Sequence, residues 1–192
     1  AAAEALGTRL RKRALVVLGQ RLATPPEFVS AVLAHLGQED TALRCAMLGV
    51  CGSFRNAELL QAREGATRDP QAEVKDAAVR ALAESENPAA LACLLSLLDR
   101  TSDLTQRVLV FRGIARLASN SKEVQEQVRE DALTRALALA ERPEEQKLFL
   151  GALGGCPTVG ALKTVERYLP SDAVAAEAVT AWGQIAKALL AE

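Results

Sequence analysis

The side chains best equipped for chemistry in these 192 residues are four cysteines, Cys45, Cys51, Cys93 and Cys156, and a single histidine, His35. No two cysteines stand in a C-x-x-C spacing, which argues against a redox or zinc motif. All four fall among Ala, Leu and Met, where a free thiol behaves as a small buried hydrophobe. A Cys/His zinc centre needs several ligands close together, and one histidine does not supply them, so no metal and no cofactor is expected. A Ser-His-Asp triad would have to use His35, and no serine sits in a G-x-S-x-G turn. Gly151-Ala152-Leu153-Gly154-Gly155 is glycine-rich but follows no strand, so it is not a phosphate loop. No catalytic residue is assigned.

Charge points to no polyanionic partner either. Lys and Arg total 23 against 24 Asp and Glu, a net charge of −1. Nucleic-acid surfaces are basic and present stacking rings. Here the aromatics are one Trp, one Tyr and four Phe. One basic cluster, Arg9, Arg11, Lys12 and Arg13, is read as the solvated start of a first helix, with a phosphate contact as the alternative. No apolar run approaches the ~20 residues that cross a bilayer, and no signal peptide is visible. The chain opens on Ala1-Ala2-Ala3 without Met. That leads us to expect one domain, residues 1–192, belonging to a larger protein or to a mature chain whose leader is gone.

The elements that would position any site are helical. Alanine and leucine account for 37 and 30 residues, and aromatics for 3%. Both are strong helix formers, and strands want β-branched and aromatic residues instead. Proline is costly inside a helix, so the seven prolines mark boundaries. Thr24-Pro25-Pro26-Glu27, Asp69-Pro70 and Asn87-Pro88 read as a cap followed by proline. Asp40, Asn56, Ser102, Ser121 and Ser171 are further caps, and Pro143 and Thr158 open two more segments. The starts fall near residues 4, 24, 40, 56, 69, 87, 102, 121, 142, 158 and 171, which predicts about eleven helices.

Every second helix echoes the same pattern. Aligned on a small residue, the anchors are Gly19, Gly52, Ala83, Ala115, Gly154 and Gly183, spaced by 33, 31, 32, 39 and 29 residues. One before the anchor stand Leu18, Cys51, Leu82, Ile114, Leu153 and Trp182; four before, Leu15, Leu48, Val79, Phe111, Leu150 and Val179. Five before stand Ala14, Met47, Ala78, Val110, Phe149 and Ala178. These offsets make one apolar helix face. The column two before is mostly small (Val17, Val50, Ala81, Gly113, Ala152, Ala181), which lets a neighbouring helix come close. Eight before, Arg11, Arg44, Lys75 and Arg107 are basic. Asp40 and Asp103 precede two of them by four residues, a spacing that supports a helix; the column reads as a stabilised start or a ladder between repeats.

The stretch V-K-x-A-A-V-x-A-L-A at Val74–Ala83, followed by Asn87-Pro88 and Leu91–Leu98, resembles the HEAT repeat, especially the short bacterial type named after phycobilisome lyases. The resemblance implies an all-α fold, an α–α superhelix or HEAT-like solenoid of five to six repeats. The segments Arg142–Lys147 and Tyr168–Pro170 are similar to HEAT arrays of bacterial envelope proteins. That resemblance implies a periplasmic or envelope setting, with the cytoplasm as the alternative. Paired His-Glu motifs of HEAT hydroxylases are missing, since Leu36 follows His35.

Two irregularities bear on function. Pro88–Leu98 carries no charge. Its core face is Leu91, Leu94, Leu95 and Leu98, and Ala89, Ala92 and Ser96 must lie elsewhere. It is either a middle helix covered by its neighbours or the floor of a shallow groove, walled by Glu58 and Gln61 on one side and Gln125 and Arg129 on the other. The 39-residue interval places the polar run Lys122–Glu130 at an extended helix start. Trp182 is expected to help seal the last repeat. The function expected is a non-catalytic scaffold that binds a protein or peptide, with the oligomeric state left open. The alternatives are an accessory domain of a bacterial envelope enzyme, a chromophore-lyase-like protein or a nucleic-acid-binding HEAT protein.

Overall fold

A computed structural model describes residues 25–52, 54–120 and 123–191. The described residues form ten α-helices and no strand. They are α1 (Pro26–Leu36), α2 (Thr41–Cys51), α3 (Ala57–Ala66), α4 (Ala72–Ala83), α5 (Ala90–Leu98), α6 (Leu104–Asn120), α7 (Glu126–Leu139), α8 (Pro143–Leu153), α9 (Val159–Glu166) and α10 (Ala175–Leu189). The helix expected near residue 4, the basic cluster, the Gly19 repeat, Thr24 and the caps' Ser121 lie outside the described residues.

Several boundaries follow from caps that the chain itself supplies. Asp40, Asn56 and Thr158 accept the amides of Leu43, Leu59 and Ala161, each at 3.0 Å. This satisfies amides that the first helical turn leaves without a partner. Pro26 and Pro143 are first helical residues. Other starts differ from expectation. Asp69 accepts the amide of Gln71 at 3.0 Å and closes a tight turn, so α4 begins only at Ala72 with Gln71 as its cap. Asp103, not Ser102, caps α6 through the amide of Gln106 at 2.8 Å; a carboxylate outcompetes the adjacent hydroxyl. Val174, not Ser171, precedes α10.

The extra length of the 39-residue interval also lies elsewhere than expected. Glu126, not Lys122, starts α7, and α6 runs five residues past its anchor Ala115 to Asn120.

The contacts divide the chain into two compact units, one ending at Cys93 and the other beginning at Leu94. In the first unit α2 lies against α4, α1 against α3, and α3 against α4. In the second, α8 lies between α6 and α10, while α7 packs on α9. Each unit therefore has the all-α stacking of helix pairs, in which every anchor-bearing helix meets the next.

The repeat columns explain the contact. Leu48, Cys51, Ala78, Val79 and Leu82 are buried in the first unit. Val110, Phe111, Ile114, Phe149, Leu150 and Leu153 are buried in the second, with Phe111 and Phe149 edge to face at 5.2 Å. The anchor glycines have a concrete task. A Cβ on Gly52 would sit 3.3 Å from the Ala81 carbonyl, and one on Gly154 would sit 3.3 Å from the Ala181 Cα. The anchor of one repeat thus receives the small residue two before the anchor of the next, and any larger pair would hold the backbones apart.

The last helix departs from the code. Ala178, Ala181 and Ile185 are buried, yet Val179 is 60% and Trp182 38% exposed, and a Cβ on Gly183 would meet nothing within 4 Å. Trp182 does not seal the repeat. Its Nε1 donates to Glu166 at 3.1 Å, which lays the ring on the surface between α9 and α10.

Candidate functional site

Two members of the basic column, Arg44 and Arg107, reach across to the next repeat and do not pair within their own helices. Arg44 donates from Nε to the Leu36 carbonyl at 3.0 Å and pairs with Asp69 in the loop before the next anchor helix. Arg107 donates to the Leu139 carbonyl and lies 3.5 Å from Glu141, again in the loop before the next anchor helix. Its guanidinium also stands 5.2 Å above the Phe111 ring, a cation–π contact. The carboxylates expected to hold these arginines, Asp40 and Asp103, are occupied as helix caps. Gln146, where the basic residue is missing, still donates to a loop carbonyl, that of Ala140 at 3.1 Å. The adjacent Lys147 then reaches Glu177 on the next anchor-bearing helix, α10, at 3.3 Å.

Two carboxylates in this ladder are held below the ordinary range. For Asp69 the amide of Gln71 dominates; burial opposes it, and Arg44 adds to it. For Glu145 burial alone would raise the pKa, but bonds from the Arg142 side chain and from the Arg142 and Glu141 amides overcome it. The Arg142 Nε to Glu145 Oε1 distance is 2.9 Å. These groups stay ionised and engaged, so they are poor acids or bases for a reaction.

The thiols are no better placed for chemistry. Burial pushes Cys51, Cys93 and Cys156 up to about 11 and raises Cys45 as well. A nucleophilic cysteine needs the opposite shift. All four are free; Cys51 and Cys156 are buried, and Cys45 and Cys93 half-buried. The Cys93 thiol donates weakly to Glu64 Oε2 at 3.5 Å, which further favours its protonated form. His35 is tied by Nδ1 to the Ala31 carbonyl at 2.6 Å, one turn back along α1. Among the described residues no group of three His, Cys, Asp or Glu side chains could hold a metal ion, and no helix is long and apolar enough to cross a membrane.

One buried polar residue was not anticipated. Arg63 is completely buried on α3. Its Nε donates to the Leu59 carbonyl at 3.2 Å, and its Nη1 reaches the Ala81 carbonyl at 3.4 Å and Ser85 Oγ at 3.2 Å. Its Nη2 has no partner among the described residues, and burial lowers its pKa. The side chain staples α3 to the C-terminal end of α4. The signal was available: Leu59, Leu60 and Arg63 share the apolar stripe of α3, so an arginine stood where a core residue belongs.

The residues expected to form a groove take the following places. Glu58 and Gln61 are exposed, three apart on α3, and Ala89 and Ala92 are exposed at the start of α5. Ser96, at the other end of α5, and Gln125, just before α7, are exposed in the second unit. Arg129 is half-buried, with its Nε enclosed, and its charge is felt by the Cys156 thiol. In α5, Ala90, Leu91, Leu94, Leu97 and Leu98 are buried and Leu95 only half-buried. The uncharged helix therefore shows small side chains to solvent and no large apolar patch.

In the second unit a cleft of about 440 Å³ opens at the loop end of the helices, between Asp99, Arg100, Leu104, Arg107 and Arg142. Its acids are taken up in pairs: Asp99 with Arg135, Glu141 with Arg107, Glu145 with Arg142. A paired cluster of this kind holds loops together and leaves no group poised to react.

A family model described as HEAT repeats matches residues 29–111. The match spans α1 to the first half of α6 and includes Val74–Leu98, on which the resemblance rests. No curated protein matches the chain. A crystal structure of an engineered protein is similar to this chain, with a TM-score of 0.51 and 19% sequence identity, over 92% of this chain and 90% of that chain. At that identity the likeness is one of fold, and it extends the all-α solenoid class beyond the matched HEAT segment.

Proposed function

We propose that the protein is a non-catalytic scaffold whose HEAT-type helices bind a protein or peptide. One observation carries the reading. Seven large apolar side chains are exposed among the described residues, Leu104, Val128, Leu148, Val159, Val179, Trp182 and Leu190, and all belong to the second unit. Large apolar side chains left in water are available for contact with a partner. The chemistry of the chain is consistent with this reading: its thiols are held protonated, its perturbed carboxylates are ion-paired, and its buried arginine bonds to backbone.

Affinity capture with the full chain, quantified by mass spectrometry and competed with free chain, tests the reading. A small set of proteins displaced by competition is expected. If no capture is displaced over a range of salt, or if the chain turns over a substrate, the reading fails. Ala92→Arg tests the groove floor expected on α5: loss of capture would support a contact there, and unchanged capture would reject that groove.

A further inference from the structure

We propose that the outer face of α10 is the contact through which two copies of this chain pair, α10 antiparallel to α10 about a two-fold axis. The proposal goes beyond the scaffold reading and does not depend on it.

The outer face has the pattern of a helix-pairing seam. α10 turns Ala178, Ala181 and Ile185 into the second unit, where they are buried. On the opposite side stand Ala176, Val179, Gly183, Ala186 and, just past the helix end, Leu190, spaced three, four, three and four residues apart. Alternating steps of three and four are the a and d positions of a heptad, the spacing by which one helix packs along another. None of these residues is charged. Val179 is 60% and Leu190 89% exposed, and a Cβ on Gly183 would meet nothing within 4 Å. The end of a stack of helix pairs stays in solution by a polar outer face, and this seam is not one. Gly183 weakens the helix and, unlike Gly52 and Gly154, admits no backbone among the described residues. Together with Ala176 and Ala186 it leaves room for a second helix to come close.

The columns beside the seam select the occupant. One flank holds Ala175, Trp182 and Leu189, and the other holds Thr180 and Lys187. In a parallel pair the apolar flank of one helix would meet the polar flank of the other. A two-fold axis between antiparallel helices brings each flank onto its own kind, apolar on apolar and polar on polar. Charge agrees with this arrangement. Asp172 and Glu177 lie at the start of the helix and Lys187 in its last turn, so antiparallel copies set each base toward the other's acids and oppose the two helix dipoles. The face therefore complements itself, as an isologous contact requires. Trp182 is already held by its bond to Glu166 at 3.1 Å, so little side-chain freedom is lost when it is covered.

Size sets the strength of the pair. α10 has 15 residues, which makes it about 22 Å long. A contact of one such helix per copy stays below the ~1,200 Å² of total area at which standard interfaces begin. The chain is therefore single when dilute, with Gly183 in water, and pairs reversibly as its concentration rises into the high micromolar range.

Sedimentation velocity of the full chain, from low to high micromolar, is expected to show this monomer–dimer equilibrium. Trp182 is the only tryptophan, so its emission should move to shorter wavelength with the same midpoint. Val179→Glu and Gly183→Gln should each weaken pairing at least tenfold, with helicity unchanged by circular dichroism. Val159→Glu, at a comparably exposed apolar site on α9, 57% exposed, should change nothing. A chain that is single at every concentration overturns the proposal, and Trp182 emission that shifts only when a captured protein is added assigns the face to that protein instead. Pairing that survives both α10 substitutions, or that Val159→Glu also abolishes, overturns it as well. None of these outcomes decides the scaffold reading, whose own test is the competed capture of a different protein.

Discussion

Replacing Arg63 by alanine should destabilise the first unit by about 3 kcal/mol. The bonds to the Ala81 carbonyl and Ser85 Oγ, at 3.4 and 3.2 Å, join α3 to the end of α4. Hydrogen bonds from a charged donor contribute about 1.5–3 kcal/mol each; both share Nη1 and are long, so the lower end applies. Truncation at a completely buried site leaves a cavity, which adds about 1–2 kcal/mol. Against this stands relief from burying a guanidinium with no carboxylate partner, since replacing buried charge by a well-packed hydrophobe is often neutral or better. Methionine separates the two effects, because it keeps much of the volume and drops the charge and the bonds. We expect Arg63→Met to cost about 1–2 kcal/mol, Arg63→Ala to lower Tm by about 6–12 °C at ~2–4 °C per kcal/mol, and Arg63→Ala with Ser85→Ala to be less than additive by about 1 kcal/mol. Thermal and urea unfolding followed by circular dichroism would measure all three. An Arg63→Met protein as stable as the parent would refute the reasoning, because the staple would then not offset the cost of burying its charge.

Other consequences are equally direct. Asp69 and Glu145 have carboxyls held below their ordinary values in the fold, so their contribution is full above the unfolded carboxylate range near pH 4 and is lost as pH falls from there through their lower folded values. Urea midpoints measured from pH 6 to pH 2.5 should drop across that window, and Glu145→Gln should flatten the drop; equal slopes in both proteins would contradict the assignment. Thiol titration of the native protein should label Cys45 and Cys93 slowly and leave Cys51 and Cys156 unlabelled until denaturant is added, since burial raises their thiol pKa to about 11. Rapid native labelling of Cys51 would show the α2–α4 contact to be open. Gly183→Ala should raise stability by about 0.5–1 kcal/mol, because Gly183 lies inside α10 with open space where a Cβ would go. A loss of stability there would mean that the outer face of α10 is covered in solution. Asn56→Ala should cost about 1 kcal/mol through loss of the bond to the Leu59 amide, readable in the same urea titrations.

How much of this was legible in the chain depends on the range of the interaction. The helices follow from composition and from punctuation within a few residues, as at Asp40, Asn56, Pro143 and Thr158. Misplaced starts occur where two capping groups compete next to one another, as with Ser102 and Asp103, or where a turn intervenes, as after Asp69. The repeat code also reads directly, because it is written in the size and spacing of side chains; the structure adds which backbones it brings together, Gly52 with Ala81 and Gly154 with Ala181. The destinations of long polar side chains do not. Arg44 and Arg107 looked paired with acids one turn away, but those acids satisfy helix termini, and the arginines cross to the next repeat.

Exposure on the outward face was likewise settled only in three dimensions. Val179 and Trp182 occupy the same columns as buried Leu48 and Leu82, and what distinguishes them is that no helix among the described residues covers them, which no local pattern records. Gly151 and Gly154 are alike in sequence, three residues apart on one helix, yet one faces open space and the other a backbone. The chain alone determines helices, caps and the period of its apolar face, since these depend on neighbours within a turn or two. Tertiary packing decided which arginine is buried, which glycine is needed and which apolar side chains remain in water, since each depends on what a second helix does or does not place opposite.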